Sequence, residues 1–337
     1  MTEAIAGEPG RSPARGHSPR VDVVVVTRDT RELTMRCAES VIAAGRAGEA
    51  TVACTVVDNA SADGTAEALA ERLPEVRVLR NERNVGYGAA CNQGLESGAG
   101  EIALILNSDI FARPGAIGRL ASFLASHPGH VAAGGRLVDP GSERVQVGHN
   151  VRAFPRFAPQ AAQMLGLERA WPTNPLSRRY LGMDLDYSRT QDVDQPAGSC
   201  FAVRRADFDA VGGFDEAFYY WYEDVDLARR LRDRGPIAYV HEATFEHVGG
   251  ATFAQWDRPE AILSWYPGLF RYFARHRPRR EQLALRALAA VLGVVRAVVN
   301  LPRHRERARA CLAMAGMAVR GVGEDRSVSP GRKTAGL

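Results

Sequence analysis

The residues able to do chemistry in this 337-residue chain are oxygen-bearing side chains that close apolar runs. Val21 to Val26 ends in Thr27-Arg28-Asp29, Thr51 to Val57 in Asp58-Asn59, and Glu101 to Leu106 in Asn107-Ser108-Asp109. Short β-branched or aliphatic runs bounded by turn residues predict strands buried on both faces. In open α/β sheets, ligands bind beyond the carboxyl ends of such strands. There Asp109 could hold a metal or a sugar, and Asp58 with Asn59 could hydrogen-bond a nucleobase and ribose. The same residues would also serve as turns that cap the next helix. A second cluster, Glu223, Asp224 and Asp226, follows an aromatic block from Phe218 to Tyr222. Trp221 and Tyr222 suit the C–H face of a sugar ring, and a carboxylate beside them could act as general base for a hydroxyl. Asp226 is spaced to pair with Arg230. His247, in Phe245-Glu246-His247-Val248-Gly249-Gly250, is either a further metal ligand or an incidental loop histidine.

Positioning these residues takes strand and helix in strict alternation. Helices are expected to Ala44, to Leu73, from Gly86-Tyr87-Gly88 through Gln93, and from Pro114, as first helical residue, to about His127. Val76 to Leu79 supplies the third strand. This alternation predicts an α/β fold with a mostly parallel sheet and helices on both faces. Residues 139–195 show no clear period and are expected to be an irregular insertion. Pro196 to Val203 reads as a strand, Arg205 to Val211 as a short helix, and Glu223 to Leu231 as a helix with acids first and arginines last, favourable to its dipole. Gly86 and Gly88 lack the third glycine of a dinucleotide fingerprint and follow the third strand, which makes a nicotinamide dehydrogenase improbable. They suit either a close backbone approach to a ligand or a tight helix start.

Composition bounds the setting. Five scattered cysteines without a Cys-x-x-Cys pair argue against a disulfide framework or a thiolate zinc site and for a reducing cytoplasm. Residues 1–20 have no apolar core of a signal peptide and are expected to be a disordered leader. The net charge of +4 is uneven: residues 271–310 hold eleven Arg against Glu281 and Glu306, a local +9, leaving −5 elsewhere. The longest uninterrupted apolar run there, Ala287 to Val295, is about half a bilayer-spanning length. Basic residues among helically spaced Leu and Val suit a helix on anionic lipid, a solvated helical subdomain or an oligomer contact.

Taken together, Val23 to Asp29, Val56 to Thr65, Asn84 to Gly88 with Asn92-Gln93-Gly94, Leu106 to Asp109, and Gly212-Gly213-Phe214-Asp215-Glu216 through Arg230 resemble the inverting, GT-A fold glycosyltransferases of family 2, in the rhamnosyltransferase-like branch. The resemblance spans roughly residues 21–250. It implies that Thr27, Asp58 and Asn84, with Asn59 and Gly86 beside them, contact a nucleotide, that Asp109 binds Mg²⁺ or Mn²⁺ on the pyrophosphate with His247 completing the site, and that Asp224, beside Glu223, is the catalytic base. Asn107, Gly198, Trp221 and Tyr222 would face sugar or acceptor. The family's metal motif often begins with Asp; Asn107 stands there and brings no charge, so metal binding should be weak without nucleotide. The expected partners are a dTDP- or UDP-linked sugar, rhamnose favoured, and a glycan, lipid-linked or natural-product acceptor, with an anionic membrane surface for the basic segment and no nucleic acid. A cytoplasmic enzyme, peripheral on the inner face of the cell membrane, would result. The expected division is a leader (1–20), a transferase domain (21–255), a basic helical segment (256–320) and a flexible tail (321–337). Alternatives are a sugar-nucleotide nucleotidyltransferase, whose basic glycine-rich loop after the first strand is missing here, and an inactive carbohydrate-binding scaffold.

Overall fold

The computed structural model describes residues 19–48, 50–96, 98–249 and 258–321. The expected leader up to residue 18, the boundary at 255 and the tail from 322 lie outside the described residues. The first half alternates as β1 (Arg20–Thr27), α1 (Arg31–Arg46), β2 (Thr51–Asp58), α2 (Thr65–Arg72), β3 (Arg77–Arg80), α3 (Tyr87–Glu96) and β4 (Ile102–Asn107). The valines of β1 show why. Val23 and Val25 pack with Met35, Ala38 and Val41 of α1, whereas Val24 and Val26 pack with Ala90, Cys91 and Leu95 of α3. A strand apolar at every position is one buried on both faces. β2 and β4 pair parallel to β1 on its two sides. The chain therefore reverses direction across the sheet at β1, where a crevice opens over the ends carrying Thr27, Asp58 and Asn107.

Next come β5 (Ile110–Ala112), α4 (Ala116–Ser126) and β6 (Ala132–Val138). Pro114 does not open α4; it precedes Gly115, which caps the helix with φ 81°, a left-handed conformation that glycine adopts without strain. The supposedly irregular stretch 139–195 is ordered as β7 (Val151–Arg152), α5 (Phe157–Met164), α6 (Leu167–Ala170), α7 (Pro175–Tyr180), β8 (Gln191–Val193) and β9 (Gln195–Pro196). Elements of two to eight residues are too short to show a period. The expected Pro196–Val203 strand divides in two: β9 pairs with β7 in a separate ribbon, and β10 (Cys200–Arg204) lies antiparallel between β4 and β6. After α8 (Arg205–Ala210) and α9 (Glu223–Arg232), β11 (Ile237–His247) runs parallel to β6, shifts register between Val240 and Thr244, and pairs antiparallel with β5 at its end. The sheet order is β3-β2-β1-β4-β10-β6-β11-β5, with β8 on β11: mixed, and mostly parallel in its first half.

α10 (Arg258–His276), α11 (Arg279–Asn300) and α12 (Arg305–Arg320) follow. α11 and α12 pack closely enough that a Cβ on Gly293 would lie 2.7 Å from the Cys311 carbonyl oxygen. By length and composition alone, α11 is long and apolar enough to cross a bilayer, more than its longest charge-free run suggested. Its Leu285, Ala289, Gly293 and Ala297 face is buried in the protein.

α9 is tied down by one carboxylate. Asp226 is fully buried and accepts from Arg230 Nε at 2.7 Å and from His276 Nε2 of α10 at 2.7 Å, with Arg275 at 3.4 Å. Arg230 also donates to the carbonyls of Val211 and Gly213. Burial alone would raise the Asp226 carboxyl, but the bond from His276 and the Arg230 charge hold it below the ordinary value of 3.8. Its stabilising contribution is therefore fully present above that ordinary value and is lost as acid protonates the native carboxylate. Asp226→Ala leaves these buried donors without their acceptor and is expected to cost about 3–5 kcal/mol in urea unfolding near neutral pH. The exposed pair Arg229–Asp233, broken by Asp233→Ala, should change stability by no more than about 1 kcal/mol.

Candidate functional site

Two left-handed residues open α9. Trp221 and Tyr222 have φ of 68° and 70°, a backbone cost on the order of 1–3 kcal/mol each that packing must hold in place. Tyr222 is buried, and its hydroxyl donates to Gln160 Oε1 at 3.0 Å. The Trp221 carbonyl lies where any side chain on Gly268 of α10 would collide with it. The turn aims Glu223 and Asp224 into a cleft of about 970 Å³ and a smaller adjoining cavity of about 160 Å³. Asp224, Asn107, Gly198 and Trp221 line both; Tyr222, Asp109 and His247 line the larger, and Glu223, Thr27 and Asn59 the smaller. The larger cleft thus gathers the expected residues from four separate stretches of sequence: Asn107 with Asp109, Gly198, Trp221 and Tyr222 with Asp224, and His247.

The two adjacent acids are not equivalent. Burial, reinforced by the neighbouring Asp224 charge, pushes the Glu223 carboxyl up to about 8, and its Oε2 is buried without a hydrogen-bond partner. Burial also raises Asp224, but its carboxylate accepts from Val225 N at 2.8 Å and Gly198 N at 3.2 Å, and the Arg152 charge opposes the rise. Backbone donors and a cation favour the charged form. The unequal donors therefore favour the negative charge on Asp224 and the proton on Glu223. Gly198 is glycine because a Cβ there would collide with that carboxylate.

At the other end of the cleft, the bond between β5 and β11 brings Asp109 beside His247, with His247 Nε2 3.7 Å from Asp109 Oδ2. Gln146 sets the imidazole tautomer. Its Nε2 donates to Asp139 Oδ1 at 2.9 Å and to the His247 carbonyl at 2.7 Å, which leaves its Oε1 to accept from His247 Nδ1 at 2.6 Å. The ring proton is thereby assigned to Nδ1, and the Nε2 lone pair faces the carboxylate. Burial lowers the pKa of His247 against the opposing charges of Asp109 and Asp139. A carboxylate oxygen suits Mn²⁺ or Mg²⁺, and a neutral imidazole nitrogen turned toward it tips such a pair toward the transition ion Mn²⁺. Among the described residues no group of three or more His, Cys, Asp or Glu is placed to hold a metal ion. These two donors alone leave most of a cation's coordination positions to other oxygens. Gln146 lacked any sequence signal, because it sits in the aperiodic stretch and acts through another side chain.

The expected nucleotide residues divide. Asp58 Oδ1 accepts from Ser61 N at 2.8 Å, while Oδ2 is buried without a hydrogen-bond partner; Asp58 lies beneath the cavities and lines neither. Asn84 Oδ1 accepts from Asn59 Nδ2 and Gly86 N, and its amide also bonds the Tyr220 phenol. Asn59, by contrast, spends its amide inside the protein: it donates to Asn84 Oδ1 and the Gly86 carbonyl and accepts from Asn81 Nδ2 and Val85 N. It shapes the loop rather than offering a side chain to a base. The Thr27 hydroxyl is likewise engaged, with Thr30 at 2.9 Å and Thr34 at 2.6 Å. Gly86, at φ 95°, needs to be glycine, since a Cβ would lie 2.9 Å from the Tyr219 carbonyl oxygen. Asn107 Oδ1 accepts from the Tyr87 hydroxyl at 2.7 Å, a partner that sequence reading did not single out. Tyr222 is part of the buried core behind the cleft more than a platform in it.

Residues 22–212 match the family model described as Glycosyl transferase family 2, and residues 183–249 match one described as the N-terminal domain of galactosyltransferase. The N-acetylglucosaminyl-diphospho-decaprenol L-rhamnosyltransferase of Mycobacterium tuberculosis is 33% identical over 223 residues, 60% of this chain and 68% of the relative. Among solved structures, GalNAc-T7 with UDP, GalNAc and Mn²⁺ superposes with a TM-score of 0.59 at 17% identity, covering 87% of this chain and 55% of that one. A mannosyltransferase from Pyrobaculum calidifontis in complex with GDP-Man and Mn²⁺ gives 0.50 at 18%, covering 91% and 78%. These structural likenesses concern the fold, which is of the GT-A type.

The Glu223 carboxyl ionises near its ordinary value of 4.5 when unfolded but only at about 8 when native, so stability falls as pH rises between the two. Glu223→Gln removes that penalty. Melting curves are expected to show the variant more stable than the parent at pH above 8, with the advantage disappearing by about pH 4.5.

Proposed function

We propose, from the premise that this chain belongs to glycosyltransferase family 2, that it transfers a sugar with inversion from a nucleoside diphosphate to a hydroxyl acceptor, with Asp224 as the base. One observation carries the reading: Asp224, oriented by two backbone N–H groups, lines the same cleft as Asp109 and His247. In this mechanism the nucleotide sits over the β1 and β2 ends, its base near Asp58, whose Oδ2 has no protein partner, and near Asn84. Asp109 and His247 would hold a divalent cation, which when bound offsets charge on the departing diphosphate. Asp224 takes the proton from the acceptor hydroxyl as its oxygen attacks the anomeric carbon on the face opposite the nucleotide. Protonated Glu223 keeps a second negative charge out of the site. The aromatic wall at Trp221 and the backbone at Gly198 border the acceptor.

The donor we favour is dTDP-rhamnose, and the acceptor a glycan on a lipid carrier. The name and similarity of the mycobacterial rhamnosyltransferase support the rhamnosyl group and the lipid-linked acceptor; the choice of dTDP rests on the rhamnosyltransferase-like branch that the sequence resembles. The Mn²⁺ in both solved neighbours supports the cation.

Incubation with dTDP-rhamnose and a lipid-linked N-acetylglucosamine acceptor is expected to yield a rhamnosylated product of inverted anomeric configuration, read by proton NMR. Asp224→Asn should bind the nucleotide as tightly as the parent yet turn over about 10²–10⁴-fold more slowly; near-parental turnover would remove Asp224 from the role.

Calorimetric titration of dTDP with Mn²⁺ tests the cation site without turnover. Gln146→Leu deprives His247 of the acceptor that sets its tautomer and is expected to weaken metal-dependent nucleotide binding about 10–100-fold. Asp109→Ala should abolish the metal dependence. Unchanged affinity in both variants would place the cation elsewhere.

A further inference from the structure

We propose that the outer face of α11 is a docking surface for an anionic lipid bilayer, an inference independent of the transfer reaction. Leu283, Val291, Val294, Val295, Val298 and Val299 are exposed by between 50% and 72%, at the three- and four-residue spacing of one helix face. Between Leu283 and Val299 every exposed residue of the helix is apolar. The opposite face, Leu285, Ala289, Gly293 and Ala297, is the buried one. The two arginines within this span are turned off the stripe. Arg286 donates to the carbonyls of Ala318 and Val319, and Arg296 to the Met164 carbonyl and the Tyr266 hydroxyl. A contiguous apolar face of this kind is uncommon on monomers in water and marks an interaction surface.

Charge identifies the occupant. Exposed Arg279 and Arg280 stand at one end of the stripe, and exposed Arg303, Arg305 and Arg309 beyond the other. Residues 271–310 carry eleven Arg against two Glu, a net +9. A second copy of the chain would bring arginines against arginines at the ends of the stripe. Phosphate headgroups at both ends, with acyl chains between, satisfy the whole pattern, as for helices lying in the membrane interface. The helix does not cross the bilayer in this arrangement, because its other face is committed to the protein. Through Arg296 and Met164 the docking helix is bonded to α5, whose Gln163 lines the cleft, so surface and cleft belong to one packed unit.

The test is flotation of the full chain with vesicles of phosphatidylglycerol in phosphatidylcholine, beside vesicles of phosphatidylcholine alone. The chain is expected to float with the anionic vesicles, at least about tenfold more than with the zwitterionic ones, and less as salt rises. The exposed-face variant Val294→Glu with Val298→Glu should lose about tenfold or more of the bound fraction. Arg303→Glu with Arg305→Glu and Arg309→Glu should lose the preference for anionic lipid, roughly fivefold per arginine. Failure of the parent chain to float, or flotation unaffected by the valine changes, would overturn the proposal. So would a dimer in light scattering that Val298→Glu dissociates and anionic vesicles do not, since the occupant would then be a second copy.

Discussion

Two neighbouring carboxylates buried at the start of a helix cannot both carry charge, and the architecture around α9 resolves which one does. The N-terminal end of the helix favours anions, but within the first turn the donors are unevenly shared. Asp224 receives the N–H groups of Val225 and Gly198, whereas Glu223 Oε2 receives none from the protein. Inequality of this kind allows one residue to act as a base while the other stays neutral. It depends on the helix being held firmly, and that hold is the buried cluster of Asp226 with Arg230 and His276, which ties α9 to α10. The left-handed turn at Trp221 and Tyr222, packed against Gly268, sets the angle at which the acids enter the cleft.

The second constraint is the sheet. A parallel half supplies one edge of the cleft at the ends of β1, β2 and β4, while β10 runs antiparallel beside β4 and delivers Ser199, whose carbonyl accepts from Asn107 N at 3.0 Å. β11 contributes by changing partners along its length: after its register shift it reaches β5, and only there does His247 meet Asp109. The opposite ends of the cleft are thus built by different devices, a strained helix start and a strand crossing from one neighbour to another.

These devices explain what could be read from sequence. The parallel half was legible because β1, β2 and β4 hold apolar runs that end in polar clusters; Asp58 and Asp109 stood out as carboxylates at such ends, and Asp224 as an acid at a helix start behind an aromatic block. The family resemblance agrees with the matched model and the GT-A-type neighbours. Less legible were groups whose role lies in a partner. Asn59 looked like a ligand to a nucleobase, yet its amide is consumed by Asn84, Gly86, Asn81 and Val85. Gln146 looked like nothing in particular, yet it decides which nitrogen His247 presents. The short elements between residues 139 and 195 gave no period, and Pro114 marked the approach to a helix rather than its first residue.

The division of one proton between Glu223 and Asp224 is the point on which the proposed chemistry turns, and a carboxyl ¹³C NMR titration of labelled protein reads it directly, with Glu223→Gln and Asp224→Asn for assignment. The account predicts that at pH 7 the Asp224 signal is that of a carboxylate while Glu223 is protonated and titrates at about 8, that step being absent in Glu223→Gln. A protonated Asp224 beside an ionised Glu223 at neutral pH would contradict it and transfer the role of base to the other acid.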